Sequence, residues 1–243
     1  MMPFRWKNCS ADIEASRHEI TIRSYFDDVI LPALETLHGR IDELGRSDAP
    51  GGGFAQADMQ DVLCETKLAF ALSIQSIWER QLRAYIRGCA RELRPRETTA
   101  SKVEKANWKD LCKLFRELRG IKLESFPSFD TLDILQHLGN ACRHGDGESA
   151  NKLSQRCPDL WQLSSPLLPG FGSTSASKPA PVAAMDIPVD RLRSFIDAVA
   201  DFWLDAEYIY NESIDRKHPS LEARLVRERA ERRWVPQTPV KGG

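Results

Sequence analysis

Leu138-Gly139-Asn140-Ala141-Cys142-Arg143-His144-Gly145-Asp146-Gly147 closes a stretch of helical periodicity that begins near Phe126. Asn140, Arg143, His144 and Asp146 crowd its end, and Gly145 and Gly147 interrupt it. Glycine just past the last periodic residue marks a helix C-terminus, because it adopts the left-handed conformation at little cost. His144 therefore belongs to a last helical turn, where the partial negative charge of the helix end favours an imidazolium. Upstream, Phe129, Leu132, Leu135, Leu138 and Cys142 form an apolar stripe, which predicts a helix over 129–144. Asp133, His137, Asn140 and His144 fall on the opposite face, within about 60° of one another at about 100° per residue.

The same periodicity extends on both sides. Asn107 is placed to cap a helix over 108–118, with Trp108, Leu111, Cys112, Phe115 and Leu118 inward and Gly120 ending it. A longer helix is expected from about Gln56 to Leu93, ending before Pro95. Ile74, Trp78, Leu82, Tyr85 and Cys89 share one of its faces. Arg80, Arg83, Arg87, Arg91 and Arg94 share the other, within about 80°. Like charges at that spacing repel, so the stripe calls for compensation: either an acidic neighbour or the phosphates of RNA or DNA. Residues 11–45 read as one long amphipathic helix through Ile13, Ile20, Tyr25, Val29, Leu34, Leu37, Ile41 and Leu44, kinked or split at Pro32.

Downstream, Ser149–Leu153 suggests a short helical turn and Pro158–Trp161 a packed loop. Residues 164–188, rich in Ser, Pro, Gly and Ala, are expected to be an irregular excursion. Leu192, Phe195, Ile196, Val199, Phe202, Trp203 and Ala206 define a last core helix, which Ile209 and Tyr210 extend. Residues 216–233 alternate in charge and read as a solvent-exposed helix, followed by a disordered end over 235–243. With no set of alternating strands, the fold class is all-α: an antiparallel bundle of four to five helices. Residues 1–215 form one domain, and 216–243 a charged helix and tail.

At 243 residues and 42% hydrophobic content the chain can bury one sizeable core. Its net charge of −1 selects no partner, but the distribution is uneven. Residues 11–65 carry 12 acidic and 4 basic side chains, and residues 80–122 carry 13 basic and 5 acidic. An acidic helix could pack beside a basic one, or the basic surface could remain free for a polyanion. The six cysteines (9, 64, 89, 112, 142, 157) show no C-x-x-C pair. Reduced thiols in a cytoplasmic protein are the simplest account. No apolar core follows Met1–Lys7, so no signal peptide is expected, and no stretch approaches the roughly 18 apolar residues of a membrane span.

The arrangement resembles the HEPN superfamily (higher eukaryotes and prokaryotes nucleotide-binding). In that family a helical bundle ends a late helix in Arg, four to six residues, then His, often with Asn directly after the Arg. Here Asn140 and His144 match that pattern, Gly139 stands at the arginine position, and Arg143 is a displaced substitute. The resemblance covers about residues 55–210. It implies an RNA-directed protein, a metal-independent endoribonuclease of the bacterial toxin or phage-defence kind that acts as a homodimer. His144 would be the general acid or base, Asn140 its orienting partner, Arg143 the group that stabilises charge on phosphorus, and His137 a second acid/base group. The same fold also implies alternatives: a non-catalytic module that assembles with a protein of the same defence or toxin system, or a nucleotide-binding partner of a nucleotidyltransferase.

Other chemistries have less support. Asp133, His137 and His144 lack the i,i+4 histidine pair of helical zinc sites, so no metal is expected. No Walker loop, G-x-G-x-x-G, G-x-S-x-G or H-E-x-x-H occurs, and no cofactor is implied.

Overall fold

Gly51, at a left-handed φ of 86°, turns the chain into the longest helix, α4 (Gly52–Leu93). Its 42 residues span about 63 Å at a rise of about 1.5 Å each. The computed structural model describes residues 3–161 and 181–237. Before α4 lie α1 (Ser10–Ala15), α2 (His18–Tyr25) and α3 (Leu31–Gly45). After it come α5 (Thr99–Lys105), α6 (Trp108–Arg119), α7 (Phe129–His144), α8 (Glu148–Arg156), α9 (Val189–Glu212) and α10 (Pro219–Glu231). Among the described residues there is no strand beyond one isolated antiparallel bridge, Pro3 to Gln237, so the protein is all-α. Among them, too, no helix is long and apolar enough to cross a membrane.

The chain divides into two compact units, each assembled from separate stretches. Unit 1 contains Met1–Ile20, Glu79–Asp130 and Ala198–Gly243. Unit 2 contains Thr21–Trp78 and Thr131–Asp197.

The N-terminal third departs most from its expected form. Residues 11–45 are not one helix. They are α1 and α2, separated at Ser16–Arg17, then a wide π-type turn over Phe26–Ile30, then α3. Pro32 sits in the first turn of α3. It has no N–H to offer the carbonyl four residues back, and its ring collides with that carbonyl, so the preceding turn opens. The inward face shifts accordingly. Ile13, Ile20 and Val29, expected to face inward, are exposed, while Ile22, Phe26, Ile30 and Leu34 are buried. Those four are spaced by four residues, a period that drifts off one face of a regular α-helix by about 40° per step. The wide turn takes up that drift.

In α6, α7 and α9 the local signals held. Asn107 Oδ1 accepts the Asp110 N–H at 3.0 Å at the start of α6, and Gly120 ends it at φ 73°. α7 begins and ends where its apolar stripe predicts, and Gly145 (φ 72°) donates its N–H to Ala141 O at 2.8 Å. α9 buries Leu192, Phe195, Ile196, Val199, Phe202, Trp203, Ala206 and Ile209. Of the irregular 164–188 stretch, residues 164–180 lie outside the described residues. Over 182–184 a short 3-10 turn buries Val182.

Unit 1 closes around an ion pair with no exposed surface to speak of. Arg119, 2% exposed, meets the carboxylate of Asp12, 4% exposed. It also donates to Lys7 O at 2.9 Å and lies 3.9 Å from the Trp6 ring centre. Asp12 in turn accepts from Tyr85 Oη and from the Cys9 N–H, both at 2.8 Å.

The C-terminal helix is docked, not solvated all round. Leu225 is fully buried, and Arg229 donates through Nε and Nη2 to the buried Glu212 at 2.5 and 2.8 Å. Beyond α10, Trp234 packs 5.0 Å from Phe126, and Pro236 O accepts the Phe4 N–H at 2.8 Å. Residues 235–237 are therefore part of unit 1, and 238–243 lie outside the described residues.

Arg232 pairs with Asp205 and donates to Leu204 O at 3.1 Å. Burial pushes the Asp205 carboxyl up to about 6, against the pull of Arg232. The folded state then holds a proton that the unfolded chain releases between about pH 4 and 6. In that window this group makes stability fall as pH rises. Asp205→Asn should flatten the slope, by at most about 3 kcal/mol across the window. Urea melts of both proteins at pH 4 and 7 read the difference, and identical slopes would refute the assignment.

Candidate functional site

Within unit 2, α7 runs antiparallel to the first part of α4. Gln75 meets Gln136 on α7, whereas Glu65, Leu68, Ala69 and Leu72 line a groove with Cys142, Gly145 and Asp146. The two helices come close at Gly139. Any side chain there would place its Cβ 2.5 Å from Gln75 Cγ and 2.8 Å from Gln75 Cβ. The position that the family pattern gives to arginine is thus a backbone-to-side-chain contact between helices. It has no space for a side chain of any length.

Gln75 is fully buried and donates from Nε2 to Gln136 Oε1 at 3.0 Å. Its Oε1 accepts from Arg143 Nη2 at 3.1 Å. Arg143, one turn after Gly139 on the same side, therefore has one guanidinium nitrogen held from behind while the residue stays exposed. Two buried glutamines are costly unless they bond, and here they form the support for that guanidinium. Neither was anticipated, because Gln75 interrupts an apolar face and nothing local shows what it would meet.

His144 is exposed in the last turn, and Asn140, one turn earlier, is half-buried. Neither side chain has a hydrogen-bond partner among the described residues. His137 is placed differently. Its Nδ1 lies 3.4 Å from Ser149 Oγ of α8, and its Nε2 lies 3.9 Å from Asp133. Asp133 also pairs with Arg156 of α8 at 2.5 Å. Burial pushes the His137 imidazole below its ordinary value, with Asp133 opposing. The polar face over 133–144 is thus shared: α8 engages Asp133 and His137, and the final turn keeps Asn140, Arg143 and His144. His137 and His144 are separated by about 10 Å along the helix axis.

Beside this turn, on the other flank of α7, the groove has a volume of about 490 Å³. Val182 and Ala183 complete its wall, and Asp146 accepts the Val182 N–H at 2.7 Å. The Cys142 thiol in its wall is raised to about 11 by burial, so it stays protonated and unreactive at neutral pH. Among the described residues no group of three or more His, Cys, Asp or Glu side chains could hold a metal ion.

The arginine stripe lies in unit 1. Arg83 pairs with Glu79 at 2.6 Å and donates to Val103 O and Ala106 O at 2.6 and 2.8 Å. Arg87 faces Glu104 at 3.5 Å, and Arg94 faces Glu97 at 3.4 Å and donates to Glu117 O at 2.9 Å. Arg80 and Arg91 are exposed and without an ion pair among the described residues. Carboxylates and carbonyls on α4, α5, α6 and the turn after α4 supply these partners, and the acidic N-terminal helices supply none of them.

Compared with protein-family models, with curated proteins and with solved structures, the chain gives no match.

Proposed function

We propose that the last turn of α7 is a phosphate-directed site for RNA and that two copies of the chain complete it as a metal-independent endoribonuclease. The observation that supports this reading is the Gln136–Gln75–Arg143 chain, which holds a guanidinium beside the unengaged, exposed His144. A guanidinium oriented from behind loses little freedom on meeting a phosphate and stabilises the charge that develops on it. His144 takes the proton of the RNA 2′-hydroxyl as that oxygen attacks the adjacent phosphorus. A second acid then protonates the departing 5′-oxygen, which leaves a cyclic phosphate. His137 is held by α8 about two turns away, so the second acid is assigned to His144 of a second copy.

Purified protein is expected to cut RNA in EDTA, and His144→Ala should lower the rate by about 10²–10⁴-fold with folding unchanged. Cleavage at the full rate by His144→Ala would remove the assignment. A second reading, a non-catalytic assembly module, draws support from the groove beside the site. Its walls are mainly apolar and its charged members, Glu65 and Asp146, would repel phosphate. In that case no RNA is cut, and Leu68→Glu disrupts assembly with the partner protein while His144→Ala does not.

A further inference from the structure

Two of the six cysteines, distant in sequence, meet in the core of unit 1. Cys9 precedes α1, Cys89 lies in α4, and their Sγ atoms are 3.3 Å apart. This is shorter than a relaxed contact between sulfurs and within about 1.3 Å of a bonded pair. The backbones that carry them are close as well. A Cβ at Gly88 would fall 2.8 Å from Ala11 Cβ and 3.8 Å from Ala11 Cα. That approach of α1 to α4 lies one residue from Cys89 and two from Cys9, so the main chains beside the pair run close together. The remaining four cysteines show no such meeting among the described residues; all six are free thiols.

The surroundings are not those of an inert apolar pair. The Arg119 guanidinium lies 3.7 Å from Cys9 Sγ. The hydrogen bond with Cys89 holds the Cys9 thiol below its ordinary value, with Arg119 adding to this against burial and Asp12. Cys89 is pushed up by the same hydrogen bond and by burial. Cys9 is the member that the Arg119 guanidinium faces and the one that is not fully buried, which suits it to the role of nucleophile and Cys89 to that of resolving thiol.

We propose that Cys9 and Cys89 are a redox modification site, closed to a disulfide by a small hydroperoxide. The Cys9 thiolate attacks one peroxide oxygen. The O–O bond breaks, hydroxide leaves, and Cys9 becomes a sulfenic acid, two electrons having passed from sulfur to peroxide. Cys89 sulfur then attacks the Cys9 sulfur. The S–S bond forms, the S–O bond breaks, and the departing hydroxide takes the Cys89 proton as water. Two thiols and one hydrogen peroxide give one disulfide and two waters. Cys9 is 5% exposed and Cys89 is fully buried, which disfavours bulky disulfides such as oxidised glutathione and makes a small hydroperoxide the oxidant proposed. The product ties the N-terminal segment, which carries Trp6 and the Lys7 carbonyl bonded to Arg119, to α4 across 80 residues of chain. This proposal is independent of the RNA reading.

The test uses the full chain, reduced and then treated with hydrogen peroxide in slight excess. Non-reducing digestion and mass spectrometry should give a Cys9–Cys89 linked peptide. Thiol titration in denaturant should fall from six to four. The melting temperature of the oxidised protein should rise by about 10 °C, as expected for a loop of this length, and return on reduction. Oxidised glutathione at the same concentration should leave all six thiols. Cys89→Ala should instead accumulate sulfenic or sulfinic acid on Cys9. Six free thiols after peroxide, a bridge between other cysteines, or a Cys9–Cys89 link formed only in denaturant would each overturn the proposal. These readouts use the wild-type chain, so they hold even if the variant folds poorly.

Discussion

Gly139→Arg, which installs the arginine of the ribonuclease pattern, is expected to unfold unit 2 and not to add a phosphate clamp. The new Cβ would lie 2.5 Å from Gln75 Cγ and 2.8 Å from its Cβ. Gln75 cannot swing clear, because its Cβ is fixed to α4 and its amide is bonded to Gln136 and Arg143. Overpacking alone costs about 1–3 kcal/mol. A buried, unpaired guanidinium adds about 3–5 kcal/mol. The sum is a large part of the stability of an ordinary domain. Gly139→Ala isolates the steric part, and its cost is reduced by the better helix propensity of alanine, roughly 1 kcal/mol. In the background of Gln75→Ala, Gly139→Ala should cost less, because Cγ and Cδ of Gln75 are gone. Urea melts of the four proteins measure the coupling. A Gly139→Arg protein that melts like wild type would show that the helices can part here. The role of the glycine would then have to be sought in the site.

Asp12→Ala should be nearly as damaging in unit 1. Its carboxylate answers Arg119, accepts from Tyr85 Oη and accepts the Cys9 N–H that opens α1. Removing it leaves a guanidinium at 2% exposure with its charge uncompensated. The expected loss is about 3–5 kcal/mol, against about 0–1 kcal/mol for an exposed pair such as Arg40–Glu43. The double replacement Asp12→Ala/Arg119→Met should recover much of the loss, since no buried charge remains to be answered. Denaturant midpoints of the two single variants and the double variant give the coupling energy. If Asp12→Ala costs less than about 1 kcal/mol, water reaches Arg119 and the pair is not closed off.

Some of this was legible in the residues. Asn107, Gly120 and Gly145 fixed helix ends because capping and left-handed turns depend on the residue and its immediate neighbours. The stripes of α6, α7 and α9 were visible because each buries one face at a regular period. The N-terminal stretch misled for the same reason: a wide turn before Pro32 changes the period, so Ile20 and Val29 turned outward. The site was legible only in part. Asn140, Arg143 and His144 could be placed in one turn, whereas His137 shares the wheel face of Asn140 and His144 but is engaged by α8 through Ser149.

What the sequence by itself determined is the all-α class, the extent of α7, and the grouping of Asn140, Arg143 and His144 at its end. Each follows from periods and caps acting within a few residues. What only the tertiary structure decided is which of these groups are held and which are left open. Gln75 supports Arg143 across 68 residues of chain, Gly139 is the surface on which Gln75 rests, and Cys9 meets Cys89 across 80. Contacts at such separations depend on how helix faces are rotated against one another. A single buried glutamine or cysteine leaves no periodic trace of that in the chain.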